Sequence, residues 1–582
     1  MAELKTIWFD KIDRSKPLCE YPRPQLKRDC WQCLNGEYEY SVTEEKAKDM
    51  GEGDGIIIVP FAVECSLSGV ERTITRNQRL WYRKIFTLDS SLSDKNIILH
   101  FGAVDWQCRV FINNMTVGSH VGGYDAFSFD ITKYLRDGEN ELKVSVYDPT
   151  DDGWQQRGKQ TKKSHGIWYT STTGIWQTVW LEGVDKTYIK SLKLLPDIDN
   201  SRIYIKTQAS GSGVRLSAEV SLGGKAIAQK DISADDYIEI PQMKLWSPEE
   251  PNLYDLKLEL KVKGKITDTV FSYFGMRKFS IDNDAQGIPR LFLNNEPYFQ
   301  NGLLDQGYWC DGGMTPPCEE AMIYDIQKMK DLGFNMLRKH IKVEPSRWYY
   351  HCDRLGMLVW QDMVSGGEYI GNFLAGVLPN LNIKVKDNKY KAFSRENPKW
   401  RENFKQELFR ILDMLYNHTS ICCWVPFNEG WGQFDAKEIG EKVKAFDPSR
   451  FVDHVSGWYD QGGKDFRSIH RYILPVTMPK KDGRPFVLSE YGGYSYIIGE
   501  HVYNKSKSFG YVMYKSEETL TAAYKKLFEK QLIPLIPKGL CAAVYTQVSD
   551  VEFEVNGILT YDRKLVKMNE DVLREVNAKM KY

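Results

Sequence analysis

Near residue 278 the period of the apolar residues changes, and this change constrains the fold more than any other feature of the sequence. Downstream, short apolar runs alternate with amphipathic stretches of ten or more residues. The runs are PYFQNGL, FNMLRKH, MLVWQDM, ICCWVPFNE, FVDHVSG, RSIHRY, FVLSEYG and CAAVYTQ, eight in all. Between them lie CEEAMIYDIQKMKDL, EPSRWYYHCDRL, RENFKQELFRILDMLYN and SEETLTAAYKKLFEKQ, each with helical spacing. Strands covered on both faces read as unbroken apolar runs, so this alternation predicts a (β/α)8 TIM barrel over 278–582, with a long connection at 363–398. Chemistry in such a barrel gathers at the C-terminal ends of the strands, and the polar residues closing each run are therefore the candidates.

Upstream the pattern is all-β. Residues 1–185 contain short alternating segments broken by Gly, Asn and Asp, among them LWYRKIFTL, CRVFINN and ELKVSVYD. A hairpin-like Phe111–Gly118 and a closing Trp176–Trp180 predict a two-sheet jelly roll. Residues 186–277, with YIKSLKLLP, RIYIKTQAS and YDLKLELKV, have the length and alternation of an immunoglobulin-like β-sandwich. Three domains also suit the length, since 582 residues exceed what one hydrophobic core supports, about 250–300.

The charge balance excludes several function classes. Lys plus Arg equal Asp plus Glu at 78 each, which leaves neither the basic footprint of a nucleic-acid binder nor an acidic tail. The N-terminus carries Glu3, Lys5 and Asp10 where a signal core would be apolar, and no run reaches the roughly 18 uncharged apolar residues of a membrane span. A cytoplasmic protein without membrane partners is expected. Eleven cysteines in no repeating pairs predict mostly reduced, buried thiols; Cys422 and Cys423 point to opposite strand faces as packing residues, and Cys30-x-x-Cys33 lacks a second pair at metal spacing.

Two of the predicted strands end in glutamates. Trp424-Val-Pro-Phe-Asn-Glu429 closes the fourth and Phe486-Val-Leu-Ser-Glu490 the seventh. One carboxyl that protonates a leaving oxygen, facing another that attacks or directs water, is the arrangement glycoside hydrolysis requires. A single glutamate here would as readily cap a helix or pair with an arginine; two at the same rim are harder to dismiss.

With these residues the sequence resembles glycoside hydrolase family 2, the family of β-galactosidases, β-glucuronidases and β-mannosidases. The similarity runs along essentially the whole chain: Phe274-Gly-Met-Arg277, Phe334-Asn-Met-Leu-Arg338-Lys-His340, Tyr350-His-Cys-Asp353-Arg-Leu-Gly356, Asn417-His-Thr-Ser420 and Asn428-Glu429 follow in the family's order. The resemblance implies a retaining exo-β-glycosidase, with Glu429 as acid/base, Glu490 as nucleophile, Asn428 on the sugar 2-hydroxyl and Tyr472 hydrogen-bonded to the nucleophile. Arg338 would orient Glu490. His340, Asp362, Asp305 and Trp458 are candidates for contacts to the sugar. Other rim candidates are Gln306, Trp309, Trp431, His454 and His470, with Trp106, Trp154 and Trp168 in the jelly roll, where core or interface packing is the commoner role; whether the 150–165 loop reaches the site is not decided by the sequence. His418 reads as structural.

The chain also departs from the family pattern. Where family β-glucuronidases place Asn-x-Lys after strand eight to hold the sugar carboxylate, this sequence has Glu554 and Asn556, and a carboxylate beside a uronate repels it. Strand two reads Arg-Lys-His in place of Arg-x-Ser-His, and Tyr545-Thr-Gln547 stands where a Trp is common. The resulting expectation is an enzyme for a neutral, galactoside-like terminal sugar. Its alternatives are a furanosidase or mannosidase, or a non-catalytic carbohydrate-binding protein on the same frame. Some large β-galactosidases of the family bind magnesium near the acid/base; no matching ligand set is found here, so no metal and no organic cofactor is expected. A homo-oligomer is expected, without a segment that marks its interface.

Overall fold

The computed structural model describes residues 4–368, 370–371, 374, 378 and 383–582. Part of the 363–398 connection predicted from the sequence thus lies outside the described residues. Two antiparallel sheets face each other in the N-terminal region. One has six strands in the order 55–59, 36–44, 78–86, 140–147, 107–112 and 115–121, and the other has four, 31–33, 179–184, 96–101 and 127–130. Inward residues such as Leu80, Tyr82, Val110, Val144 and Leu181 form its core. The next unit is a sandwich of three strands (189–197, 202–209, 235–239) against four (225–232, 214–222, 254–262, 265–274). Arg202–Ala209 alternates buried and exposed along its length, placing Ile203, Ile205 and Thr207 in the core, as a strand with one solvated face should.

Eight parallel strands then form the barrel sheet: β1 (Gln300–Asp305), β2 (Met336–Lys339), β3 (Leu358–Asp362), β4 (Ile421–Val425), β5 (Phe451–Val452), β6 (Arg467–Arg471), β7 (Phe486–Gly492) and β8 (Leu540–Thr546). Their hydrogen-bonded order is β5-β4-β3-β2-β1-β8-β7-β6. All eight predicted runs are strands, and β3, β4, β7 and β8 are buried at every residue. Helices α1 (Glu319–Asp331), α2 (Ser346–Leu355), α3 (Pro398–Leu415), α4 (Ala436–Phe446), α5 (Glu517–Leu527) and α6 (Glu570–Asn577) follow strands 1, 2, 3, 4, 7 and 8. The connections after β5 and β6, residues 453–466 and 472–485, carry no helix. Gly457, Gly462, Gly463, Pro475, Pro479 and Pro485 explain this, since glycine and proline are the costliest residues inside a helix.

The three units are joined by buried polar contacts. Asp353 on α2 accepts hydrogen bonds from the Tyr273 hydroxyl of the sandwich (2.7 Å) and the Ser420 amide of the barrel (2.6 Å), and pairs with His418 (3.0 Å). His418 is therefore part of the domain junction. Residues before the first strand pack along all three units: Thr6 bonds Asp311, and Arg28 reaches both Glu182 and Asp268. Cys19 and Cys33 form a disulfide, a pairing that the expectation of mostly free thiols did not contain; the other nine cysteines are free, Cys422 and Cys423 both buried.

Candidate active site

The pleat of β2 sends Arg338 and His340 to the same side, and both meet Asp362 at the end of β3. Arg338, with no solvent exposure, donates Nε and Nη2 to the two Asp362 oxygens (both 2.9 Å), and His340 Nδ1 lies 2.9 Å from Oδ2. The rest of the guanidinium is shared among the Asn428 side chain (2.9 Å), the Ser489 carbonyl (3.0 Å) and Glu490 Oε1 (3.0 Å). A planar fork with five donors is thereby fixed against the end of β7. Tyr472, just beyond β6, donates its hydroxyl to Glu490 Oε2, and its ring stacks on Tyr511 at 3.8 Å.

Glu429 sits in a turn after β4 with φ of +51°, a left-handed conformation uncommon outside glycine, followed by Gly430 at +75°. Its amide bonds the Ser456 carbonyl (3.0 Å). Such strain persists where the surroundings over-determine it, and it clusters at functional sites. The turn aims the side chain at His470, whose Nδ1 is 2.7 Å from Glu429 Oε1, while Nε2 is 2.9 Å from Ser456 Oγ and 3.5 Å from Glu490 Oε1. His470 therefore stands between the two glutamates, and donor atoms of Glu429, His470 and Glu490 all lie within 4.8 Å of one another. This trio is the one group among the described residues with a spacing that suits a metal ion, and its histidine is already engaged by both carboxylates.

The electrostatics separate the roles of these groups. Burial alone pushes the Glu490 carboxyl up, but His470, His340 and Arg338, with the Tyr472 hydrogen bond, outweigh it and hold Glu490 down to about 2. Burial drives His340 well below its usual range, so its ring adds to the hold on Glu490 only at low pH, and at pH 7 the permanent positive charge facing Glu490 is that of Arg338. Burial and the neighbouring Glu490 push the Tyr472 hydroxyl far up, keeping it a donor.

Asn428, Glu429, Glu490, His340 and Tyr472 line one small pocket together with Lys159, Tyr511, Thr546 and Glu554. It opens into a cleft of about 820 Å3 lined by Trp168, Trp431, Trp458, Ile473 and Leu474 among others. Two predicted sugar contacts stand elsewhere. Asp362 is fully buried behind Arg338 with both oxygens occupied, so it positions the arginine. Asp305 pairs with Lys339 (2.7 Å) and accepts the Gly307 amide (2.9 Å), inside a buried network that includes Glu344. Trp458 borders the large cleft, not the pocket. His454 accepts the Gly463 amide, Trp309 packs on Trp8, and Trp106 and Trp154 pack edge to face, all apart from the site.

The jelly roll does reach the site. Arg157, His165 and Trp168 border the cleft and Lys159 the pocket, and Trp168 stacks on Trp431 of the barrel at 4.7 Å. Lys159 is 7% exposed, and its amine makes no hydrogen bond or ion pair among the described residues; it lies 5.4 Å from the Tyr169 ring centre. Both Glu554 oxygens are engaged, by the Tyr169 hydroxyl and by Asn556 Nδ2 (3.0 Å). Sequence reasoning singled out neither Lys159 nor Tyr511, which lie in irregular segments without periodicity.

Profiles of glycosyl hydrolases family 2 match the chain in three consecutive segments: the sugar binding domain at 62–182, a second domain at 187–277 and the TIM barrel domain at 315–582. A putative β-glucuronidase of Formosa agariphila is 25% identical over 472 residues, covering 74% of this chain and 52% of that protein. A β-galactosidase of Thermoanaerobacter pseudethanolicus is 27% identical over 436 residues, covering 72% and 54%. The chain spans about half the length of these curated relatives. Among solved structures, a Ruminococcus gnavus β-glucuronidase in complex with uronic isofagomine superposes with a TM-score of 0.77 at 16% identity, over 96% of this chain and 99% of that one. An Eisenbergiella tayi β-galacturonidase bound to galacturonate does so with 0.71 at 19%, over 96% and 99%. At these identities the structures are similar in fold.

Proposed function

This chain belongs to glycoside hydrolase family 2, and from that membership we propose that it is a retaining exo-β-glycosidase acting by double displacement. The observation that carries the reading is the spacing of the carboxyls: an oxygen of Glu429 lies within 4.8 Å of one of Glu490. Retaining pairs stand ~5–5.5 Å apart, whereas inverting pairs leave ~6.5–9.5 Å for a water. In the first step the Glu490 carboxylate attacks the anomeric carbon while Glu429 gives its proton to the departing glycosidic oxygen. In the second, Glu429 takes a proton from water, the water oxygen bonds the anomeric carbon, and Glu490 leaves as carboxylate. As Glu490 loses its charge in the ester, Glu429 becomes ionised, so His470 borders a negative charge throughout the cycle.

The sugar in the pocket is, in our reading, neutral and galactoside-like. Glu554 in the pocket wall supports this by disfavouring a carboxylate nearby, and several relatives are named β-galactosidases. One observation favours a second reading, a uronide: the Lys159 amine faces the same pocket without an ion partner, and other relatives are named β-glucuronidases. Initial rates on aryl β-galactoside, β-glucoside, β-mannoside, β-glucuronide and the furanosides separate the two. A dominant neutral substrate with retained β-configuration by NMR supports the first reading; a dominant glucuronide that Lys159→Met abolishes replaces it with the second. Inversion at the anomeric carbon overturns the double displacement.

A further inference from the structure

We propose that the cleft above the catalytic pocket is an aglycone site for a flat, apolar group, so that the enzyme releases aromatic or polycyclic alcohols in preference to a second sugar. This rests on the glycosidase reading only in placing the leaving group. Glu429, Tyr472, Tyr511 and Trp431 border both cavities, so the oxygen that Glu429 protonates lies at their junction. The small pocket has room for about one water, so the terminal sugar lies partly in the inner cleft beside Glu429, His470 and Tyr472, and whatever is attached to that oxygen extends onward through the cleft. Its 820 Å3 falls in the ~300–1,000 Å3 range of sites that enclose drug-sized molecules.

The walls state the chemistry. Ile473 is 77% exposed and Leu474 58% exposed, the two most exposed large hydrophobic side chains among the described residues, and both face this cleft. They begin the helix-free connection after β6, which leaves no helix to cover them. Large apolar side chains held in water next to a catalytic group mark a surface meant to be covered. Trp168 and Trp431 stack at 11° into an aromatic wall, and Trp458 adds a third indole. Of the charged groups there, Asp460 pairs with Arg467 and Arg157 donates to the Gly367 carbonyl (2.6 Å), while Glu368, Lys384 and Arg471 also border the cleft. A sugar acceptor is held by hydrogen bonds to its hydroxyls, whereas apolar area makes up the larger part of these walls.

The test compares leaving groups of similar acidity on one glycone: a β-linked disaccharide, the benzyl glycoside and the 2-naphthylmethyl glycoside, with the glycone chosen from the rate panel. The expected result is a rise in kcat/KM of about tenfold or more from the disaccharide to the naphthylmethyl glycoside. The Ile473→Ser, Leu474→Ser double variant, altered only at exposed positions, lowers that ratio about tenfold. A ratio near one, or a ratio the double variant leaves unchanged, overturns the proposal. If no glycoside is cleaved at all, the glycosidase reading fails, and calorimetric titration with 2-naphthylmethanol decides the cleft separately: binding that the double variant weakens sustains the apolar site, and absence of binding overturns it.

Discussion

Replacing Tyr472 with Phe removes one hydroxyl and leaves the ring in place against Tyr511, so the variant isolates a single hydrogen bond to Glu490, the proposed nucleophile. That hydroxyl donates to Glu490 Oε2, the oxygen that Arg338 does not hold. A hydrogen bond to a charged acceptor is worth ~1.5–3 kcal/mol, and one pKa unit corresponds to about 1.4 kcal/mol, so losing it should raise the Glu490 value by ~1–2 units. The sign is fixed by mechanism: the nucleophile works as carboxylate, its value is held down to about 2, and a weaker hold moves protonation to higher pH. The acid limb of kcat/KM, which reports the free enzyme, should therefore lie ~1–2 pH units higher in Tyr472→Phe than in the wild type. The assay is initial rates from about pH 3 to pH 8 with an activated aryl glycoside, alongside near-UV circular dichroism to show that both proteins remain folded. A folded Tyr472→Phe variant whose profile stays as flat as the wild type's down to pH 3 would refute the assignment of Tyr472 as a hydrogen-bond donor that keeps Glu490 ionised.

Glu429→Gln should lower kcat/KM by ~10²–10⁴ for alkyl glycosides, yet by far less for 2,4-dinitrophenyl glycosides, whose leaving group needs no proton; equal losses on both would remove Glu429 as the acid. Asp353→Ala strips buried acceptors from Tyr273 and Ser420 and unpairs His418, and should cost about 3–5 kcal/mol in guanidinium unfolding at pH 7. Burial opposes ionisation of Asp353, but His418 and the hydrogen bonds to Ser420 and Tyr273 hold its value below the usual carboxylate range. Its contribution is thus complete above the unfolded value near 3.9 and lost as pH falls through the lower folded one, so the gap between variant and wild type should narrow below about pH 4.

What was legible in the sequence follows from what periodicity encodes. Barrel strands such as β4, β7 and β8 could be read because a strand covered on both faces is largely apolar, and Glu429 and Glu490 because they end two such runs. Asp362 and Asp305 also end strands, but the sequence does not tell which cation occupies a strand-end carboxylate; Arg338 and Lys339, neighbours on one strand pointing opposite ways, take one each. The missing helices after β5 and β6 were written in their glycines and prolines, which the regular (β/α)8 expectation passed over. Lys159 and Tyr511 are set by how irregular segments lie across the domains, and no local pattern carries that. The Cys19 and Cys33 pairing has the same character, since it depends on how the N-terminal segment folds back beside the first strand.

The Trp168–Trp431 stack has a consequence for how this enzyme can change. One indole is carried by the jelly roll and the other by the turn that also bears Glu429, so the wall of the cleft is assembled from two stretches of gene far apart. Mutation or recombination in the upstream stretch can reshape what is admitted without touching Glu429 and Glu490. The same division makes the barrel an incomplete unit of inheritance: transferred alone, it would carry the chemistry and leave behind half of the selection.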